Sequence, residues 1–356
     1  MYRSFTIRNF RCFQDLTLRP LERVNLIAGM NNLGKTALLE ALFLHLGPNN
    51  PDLALRLDAF RGIEHLGLNP EEMWGWLFSD KRIDETIELS SLNEANERRL
   101  LRIRLVEPEE GGGVAEGRRA TAPAKAEGWG TTAGGPRELR LEYQDSSGQT
   151  GVSRALITSE GTKVERARLA QLPLGVFLSP RARFPKEDAE RFSNLERVGR
   201  GGQVLATAQL VEPRLRRLAV LVTSGVPMIN GDIGIGVLVP VPLLGEGMGR
   251  LLSILLAIAS APGGKVLIDE IENGLHHSVM VDIWKAIGEA ARRSETQVFA
   301  TTHSWECIRG AHKAFAATGT YDFRLHRLER VKGQIQAGTY DREALEGALK
   351  AELEVR

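Results

Sequence analysis

Cysteine is nearly absent from this chain: Cys12 and Cys307 are the only two in 356 residues. Two thiols cannot build a disulfide framework and nothing in the sequence requires them to pair, so reduced thiols and a cytoplasmic setting are expected. An excess of either charge is also lacking, with 46 Lys plus Arg against 45 Asp plus Glu and a formal net charge of +1. That balance excludes a chain that announces a nucleic-acid partner by its overall charge; any such surface has to be local. Long hydrophobic runs are missing as well. No segment approaches the roughly 20 uninterrupted apolar residues of a membrane span. Residues 4–10 follow at once without a charged leader and apolar core, so neither export nor membrane insertion is expected.

What is present comes as an ordered set. Gly29-Met30-Asn31-Asn32-Leu33-Gly34-Lys35-Thr36 fits the phosphate-loop pattern G-x-x-x-x-G-K-[ST] at every fixed position. Residues 24–28 form an apolar run suited to a buried strand, and residues 36–43 carry apolar side chains at helical spacing. The loop therefore lies between a strand and a helix N-terminus, where free N–H groups and the helix dipole attract a β-phosphate. Gly29 and Gly34 let the backbone turn close to the phosphates, with Asn31 and Asn32 in the cradle between them. Lys35 reaches the β- and γ-phosphates, and the Thr36 hydroxyl is the expected Mg²⁺ ligand. ATP is the expected nucleotide, since no N-K-x-D guanine-reading motif occurs; a metabolic kinase would need a second acceptor pocket, for which there is no signal.

The length allows a large core, and residues 1–356 are read as one domain with two irregular regions. Residues 107–140, rich in Gly, Pro, Ala and charge, read as a flexible insert whose one aromatic is Trp129. Residues 100–106 and 138–143 on either side alternate as strands, as in an interrupted β-meander. Residues 150–235 form a variable middle, helical from Leu205 through Leu210, Leu215, Leu218 and Val220. Residues 228–233 and 237–242 read as a hairpin or paired edge strands.

Gly245-Glu246-Gly247-Met248-Gly249 is a second glycine turn opening a helix, so a second set of N–H groups points at an anion. Val266-Leu267-Ile268-Asp269-Glu270 is an apolar strand ending in two carboxylates. In a parallel sheet both emerge at the ligand edge, beside the phosphate loop. Gln297-Val298-Phe299-Ala300-Thr301-Thr302-His303-Ser304 is a further buried strand running to a histidine.

With these four elements in this order, the chain resembles the ABC-type ATPases of the branch containing RecF, Rad50, SMC and OLD-like proteins. More narrowly it is similar to the compact prokaryotic ATPases grouped as the AAA15 or AAA21 type. The resemblance covers roughly residues 1–50 and 200–310, and includes Ile7-Arg8-Asn9-Phe10-Arg11-Cys12-Phe13 ahead of the phosphate loop. It implies an α/β P-loop NTPase fold: an ABC-type head with an N-terminal mixed β-sheet subdomain carrying the phosphate loop, and an α/β lobe carrying the signature turn, Asp269 and His303. It also implies an ATP-dependent homodimer in which each signature turn, with Gly247 as its central glycine, caps the other subunit's nucleotide. Gly245 stands where the family usually has serine, which removes one hydroxyl from the γ-phosphate. By the same resemblance Asp269 joins the Mg²⁺ shell, Glu270 polarises the attacking water, His303 senses the γ-phosphate, and Arg11 packs against the adenine or lies on the strand surface. His276 and His277 fall near the dimer seam. As adjacent histidines they also raise a metal site, but no cysteine or further histidine lies at ligand spacing. For the family's glutamine loop, Gln171, Gln203, Ser179 and Arg181 compete. DNA binding through Arg181, Arg183, Arg191, Arg197 and Arg200, a separate effector or nuclease chain, and a role in DNA repair or phage defence are expectations of the same kind. The residues after His303 hold no acidic D-x-D cluster of a Toprim nuclease.

Overall fold

The computed structural model describes the chain except for residues 62–69, 109–136, 159–160 and 181–184. The chain opens with β1 (Tyr2–Phe10), β2 (Phe13–Leu18) and β3 (Val24–Ala28), and the phosphate loop then leads into α1 (Lys35–Leu46). After α2 (Asp52–Phe60) and α3 (Pro70–Trp74) come β4 (Ile87–Asn93), β5 (Arg98–Val106), β6 (Glu138–Asp145), β7 (Thr150–Thr158) and β8 (Gly161–Glu165). Next are β9 (Gly175–Leu178), α4 (Pro185–Arg197), α5 (Gly201–Ala208), β10 (Arg217–Thr223), β11 (Val226–Asp232) and β12 (Leu238–Pro240). The last third alternates through α6 (Glu246–Ala259), β13 (Lys265–Ile268), α7 (Met280–Arg293), β14 (Gln297–Thr301), α8 (Trp305–Ala316), β15 (Phe323–Val331), β16 (Gln334–Tyr340) and α9 (Arg342–Lys350).

Among the described residues the strands form three sheets, in the orders β2-β1-β4-β5-β6-β7-β8, β10-β11-β12 and β16-β15-β3-β14-β13-β9. In the last of these, β15, β3, β14, β13 and β9 run parallel and β16 pairs antiparallel at the edge. Its central strands are buried at every residue, as a parallel sheet covered on both faces requires. Successive side chains point to opposite faces, so β3 serves two cores. Val24, Leu26 and Ala28 join one core with Leu255, Trp284 and Ile308 from α6, α7 and α8. Ile27 joins the other with Leu38 and Leu42 of α1 and Phe5 and Ile7 of the first sheet. Buried Gln297 ties the layers together: its amide accepts from Tyr2 N at 2.9 Å and donates to Tyr2 O at 2.8 Å and Glu22 O at 2.9 Å.

The α/β class is as expected, and three details differ from the sequence reading. The first sheet is antiparallel at every pairing and does not carry the phosphate loop, which follows β3 in the parallel sheet. The reason is local. The two-residue turn Arg11-Cys12 can join only antiparallel strands, whereas a loop leading from a strand into a helix belongs to a crossover between parallel ones. The helix expected from Leu205 ends at Ala208, and Leu218 and Val220 lie on β10. Pro213 cannot continue the helical hydrogen-bond ladder, and the following Ala219-Val220-Leu221-Val222-Thr223 is rich in β-branched residues. Residues 150–235 thus hold helices α4 and α5 among strands of all three sheets.

The meander is present, with β5 and β6 paired out to Val106 and Glu138. Most of the insert expected at 107–140, with Trp129, lies outside the described residues, as do Arg181 and Arg183. The paired strands expected at 228–242 are β11 and β12. No helix among the described residues is long and apolar enough to cross a membrane.

Candidate nucleotide site

All parallel strands of one sheet end at the same edge, so β3, β13 and β14 deliver the phosphate loop, Asp269 and His303 to one place. The loop's two glycines are sterically required. At Gly29 (φ +149°) a Cβ would lie 2.8 Å from Leu328 O. At Gly34 (φ +83°) it would lie 2.4 Å from Cys12 Sγ and 2.7 Å from Phe13 Cζ, so the β1–β2 turn roofs the loop. Asn32 also takes a left-handed conformation (φ 63°). The Lys35 ammonium donates to Gly29 O at 2.7 Å and Met30 O at 3.0 Å, closing over the loop's first turn. Burial lowers its pKa from the ordinary lysine value, opposed by the charges of Glu272, Asp269 and Glu270.

Asp269 is buried, and each of its oxygens has a hydroxyl partner. Thr36 Oγ1 donates to Oδ2 at 2.9 Å, and Thr301 Oγ1 donates to Oδ1 at 2.6 Å. The same Thr301 hydroxyl accepts from Glu270 N at 2.8 Å, which fixes the turn where Glu270 takes φ 47°. Buried Arg250, on the signature helix α6, donates to Asp269 O at 2.7 Å and to Ser179 O at 3.3 Å. The sequence reading did not single out Arg250. A lone arginine on an apolar helix face was its only signal.

The signature turn sits at the start of α6, with Gly245 and Glu246 exposed. Gly245 has φ +114° and ψ 152°, a conformation open to glycine and strained for serine. At Gly247 a Cβ would stand 3.0 Å from Gly274 O, so the turn packs on the loop that follows Glu270. In that loop His276 Nδ1 lies 2.8 Å from Ser278 Oγ, beside the His277 ring.

His303 lies two residues past the end of β14 and is exposed, not buried as a strand residue would be. Its backbone N donates to Glu272 Oε1 at 2.8 Å, and its ring Nδ1 is 3.0 Å from the same oxygen. Arg11, expected at the adenine or on the strand surface, turns toward α1: its Nε lies 3.2 Å from Glu40, which is buried and also bonded by Arg61 at 2.7 and 2.9 Å.

Of the glutamine-loop candidates, Ser179 is brought to the site. It follows β9, whose Leu178 pairs with Ile268 and accepts from Asp269 N at 3.0 Å. Gln203 is exposed on α5, Gln171 lies in the loop after β8, and Arg181 is outside the described residues. Among the DNA-contact candidates, Arg191 pairs with Glu187 and Asp188 along α4, Arg197 is exposed, and Arg200 is half-buried.

The donor set suits Mg²⁺. A hydroxyl and a carboxylate, both hard oxygen ligands, meet beside the phosphate loop.

Comparison with known proteins agrees with this geometry. The family model described as "AAA ATPase domain" matches residues 1–110, and the one described as "AAA domain, putative AbiEii toxin, Type IV TA system" matches residues 154–307. The solved structure of an SmcHead bound to the C-winged helix domain of ScpA has the same fold, with a TM-score of 0.50 at 12% identity, covering 98% of this chain and 99% of that one. The chain has the ABC-type P-loop ATPase fold. This ATPase is similar to a Helicobacter pylori protein named "ATP/GTP phosphatase", 23% identical over 332 residues and 86% of each chain. The two family models divide its site between them: the first spans the phosphate loop, and the second spans the signature turn, Asp269, Glu270 and His303.

Proposed function

We propose that ATP joins two copies of this chain face to face, each signature turn capping the nucleotide on the other's phosphate loop, and that hydrolysis separates them. The observation that carries this reading is the exposed glycine turn at the start of α6. It is a second phosphate-seeking helix terminus, packed on Gly274 beside the hydrolytic loop. The whole chain acts as one ATPase domain, and the "ATP/GTP phosphatase" name of the Helicobacter relative supports nucleotide hydrolysis by it.

In this reading the backbone of Gly29, Asn31, Asn32 and Gly34 cradles the phosphates, and the Lys35 ammonium moves from the loop carbonyls onto the β- and γ-oxygens. Thr36 and Asp269 would hold Mg²⁺, which would neutralise phosphate charge. Glu270 polarises the attacking water, His303 meets the γ-phosphate, and Gly245 and Gly247 of the other copy close the site. Arg250 links each signature helix to the carbonyl of its own Asp269, so closing one site bears on the geometry of the other. ATP shifts the dimer equilibrium only through its different affinity for closed and open states.

The work done by this cycle is genome maintenance or phage defence with a separate effector chain, and DNA contacts would fall to exposed Arg197 at the end of α4 and half-buried Arg200 just before α5. A second reading, a nucleotide-gated scaffold with slow hydrolysis, is favoured by Gly245, which offers the γ-phosphate no hydroxyl. Phosphate release separates the two. A wild-type rate far above that of Glu270→Gln supports the enzyme, and equal rates support the scaffold.

A further inference from the structure

We infer that Glu272 is the positioning residue for His303: it fixes the imidazole as the Nδ1–H tautomer and so presents Nε2 to the nucleotide. This rests on the reading of His303 as the group that meets the γ-phosphate. One carboxylate oxygen, Glu272 Oε1, stands 3.0 Å from the ring Nδ1 and 2.8 Å from the backbone N of the same residue. An ionised carboxylate only accepts, so Nδ1 carries the hydrogen; a neutral imidazole has just one, which leaves Nε2 as an acceptor.

Among the described residues no other hydrogen bond or ion pair holds the ring. The His303 side chain is 56% exposed, whereas Glu272 is 11% exposed. The backbone around His303 is held on both sides: Thr302 N donates to Ile27 O at 3.0 Å, Ser304 N to Thr302 Oγ1 at 3.0 Å, and Cys307 N to Ser304 Oγ at 3.1 Å. Only the side-chain torsions remain free, and the Glu272 bond removes that freedom. The other oxygen, Oε2, is buried without a hydrogen-bond partner among the described residues, so the bonds to His303 are what anchor this carboxylate. The Glu272 charge also raises the pKa of the phosphate-loop Lys35, against the lowering by burial. A carboxylate that orients a working imidazole through its second nitrogen commonly changes activity about 10–100-fold when removed.

The test combines ¹H–¹⁵N long-range spectra of the histidine rings, assigned with His303→Asn, and steady-state kinetics of Glu272→Ala and Glu272→Gln. The inference expects His303 protonated at Nδ1 in the wild type and a mixed tautomer in Glu272→Ala, with kcat down about 10–100-fold and nucleotide affinity within about twofold. Glu272→Gln, whose amide oxygen still accepts both bonds, recovers part of the rate. A wild-type ring protonated at Nε2, or a Glu272→Ala enzyme with unchanged tautomer and kcat, overturns it, as does a kcat loss matched by lost nucleotide affinity. Full activity in His303→Asn would instead refute the role given to His303, while the tautomer still decides whether Glu272 sets the ring.

Discussion

Thr36 Oγ1 donates to Asp269 Oδ2 across 2.9 Å, joining the first turn of the phosphate-loop helix to the carboxylate strand 233 positions away. Two hard oxygen donors side by side at this edge are the proposed Mg²⁺ ligands, one from the start of α1 and one from the end of β13. Thr36→Val should therefore lower phosphate release on the order of 10²-fold and shift the Mg²⁺ titration to higher concentration, with little change in thermal stability. An unchanged Mg²⁺ midpoint would show that the hydroxyl is not a ligand.

Gly34→Ala should abolish nucleotide binding. The new Cβ meets Cys12 Sγ and Phe13 Cζ, and φ +83° disfavours any side chain. Pairing it with Cys12→Ala relieves the nearer clash and leaves Phe13 and the backbone strain, so binding of a fluorescent ATP analogue should stay weak in the double variant. Full recovery would mean that sulfur contact alone sets the requirement.

Arg250→Ala leaves buried carbonyls of Ser179 and Asp269 without their donor, at a cost of about 2–5 kcal/mol in urea unfolding. Turnover should fall more than ATP affinity, because the phosphate loop is untouched while the Asp269–Glu270 turn loosens. Equal losses in both would point to general unfolding.

Burial depresses the pKa of His45 from 6.5 to about 3, and of His326 likewise to about 3. Both rings fold neutral: His45 Nδ1 lies 3.0 Å from the Tyr2 hydroxyl, and His326 Nδ1 lies 3.1 Å from Thr339 Oγ1. The unfolded chain binds these protons first, so this stability is complete above pH 6.5 and is lost as pH falls toward 3, by about 1.4 kcal/mol per unit for each ring. His45→Gln should flatten part of that slope in urea titrations between pH 6.5 and 4; an unaltered slope would mean that His45 does not contribute.

Much of the site was legible because phosphate chemistry demands particular backbones: glycines at Gly29 and Gly34, a lysine and a hydroxyl at the helix start, acids at a strand end. The buried strands were legible as short apolar runs. What escaped depends on distant partners. Arg11 was expected at the adenine or on the strand surface, and its Nε lies 3.2 Å from Glu40 of α1. The contact of Glu272 with His303 was not legible, because it spans the loops after two strands. The helix expected beyond Ala208 failed for a local reason, since leucine spacing outweighed Pro213 in that reading.

The central claim, a site shared between two copies, is tested most directly by the light-scattering mass of Glu270→Gln in Mg²⁺ with and without ATP, beside Lys35→Ala. The account predicts a doubling of mass with ATP in Glu270→Gln and none in Lys35→Ala. A mass that ignores ATP in both would contradict it.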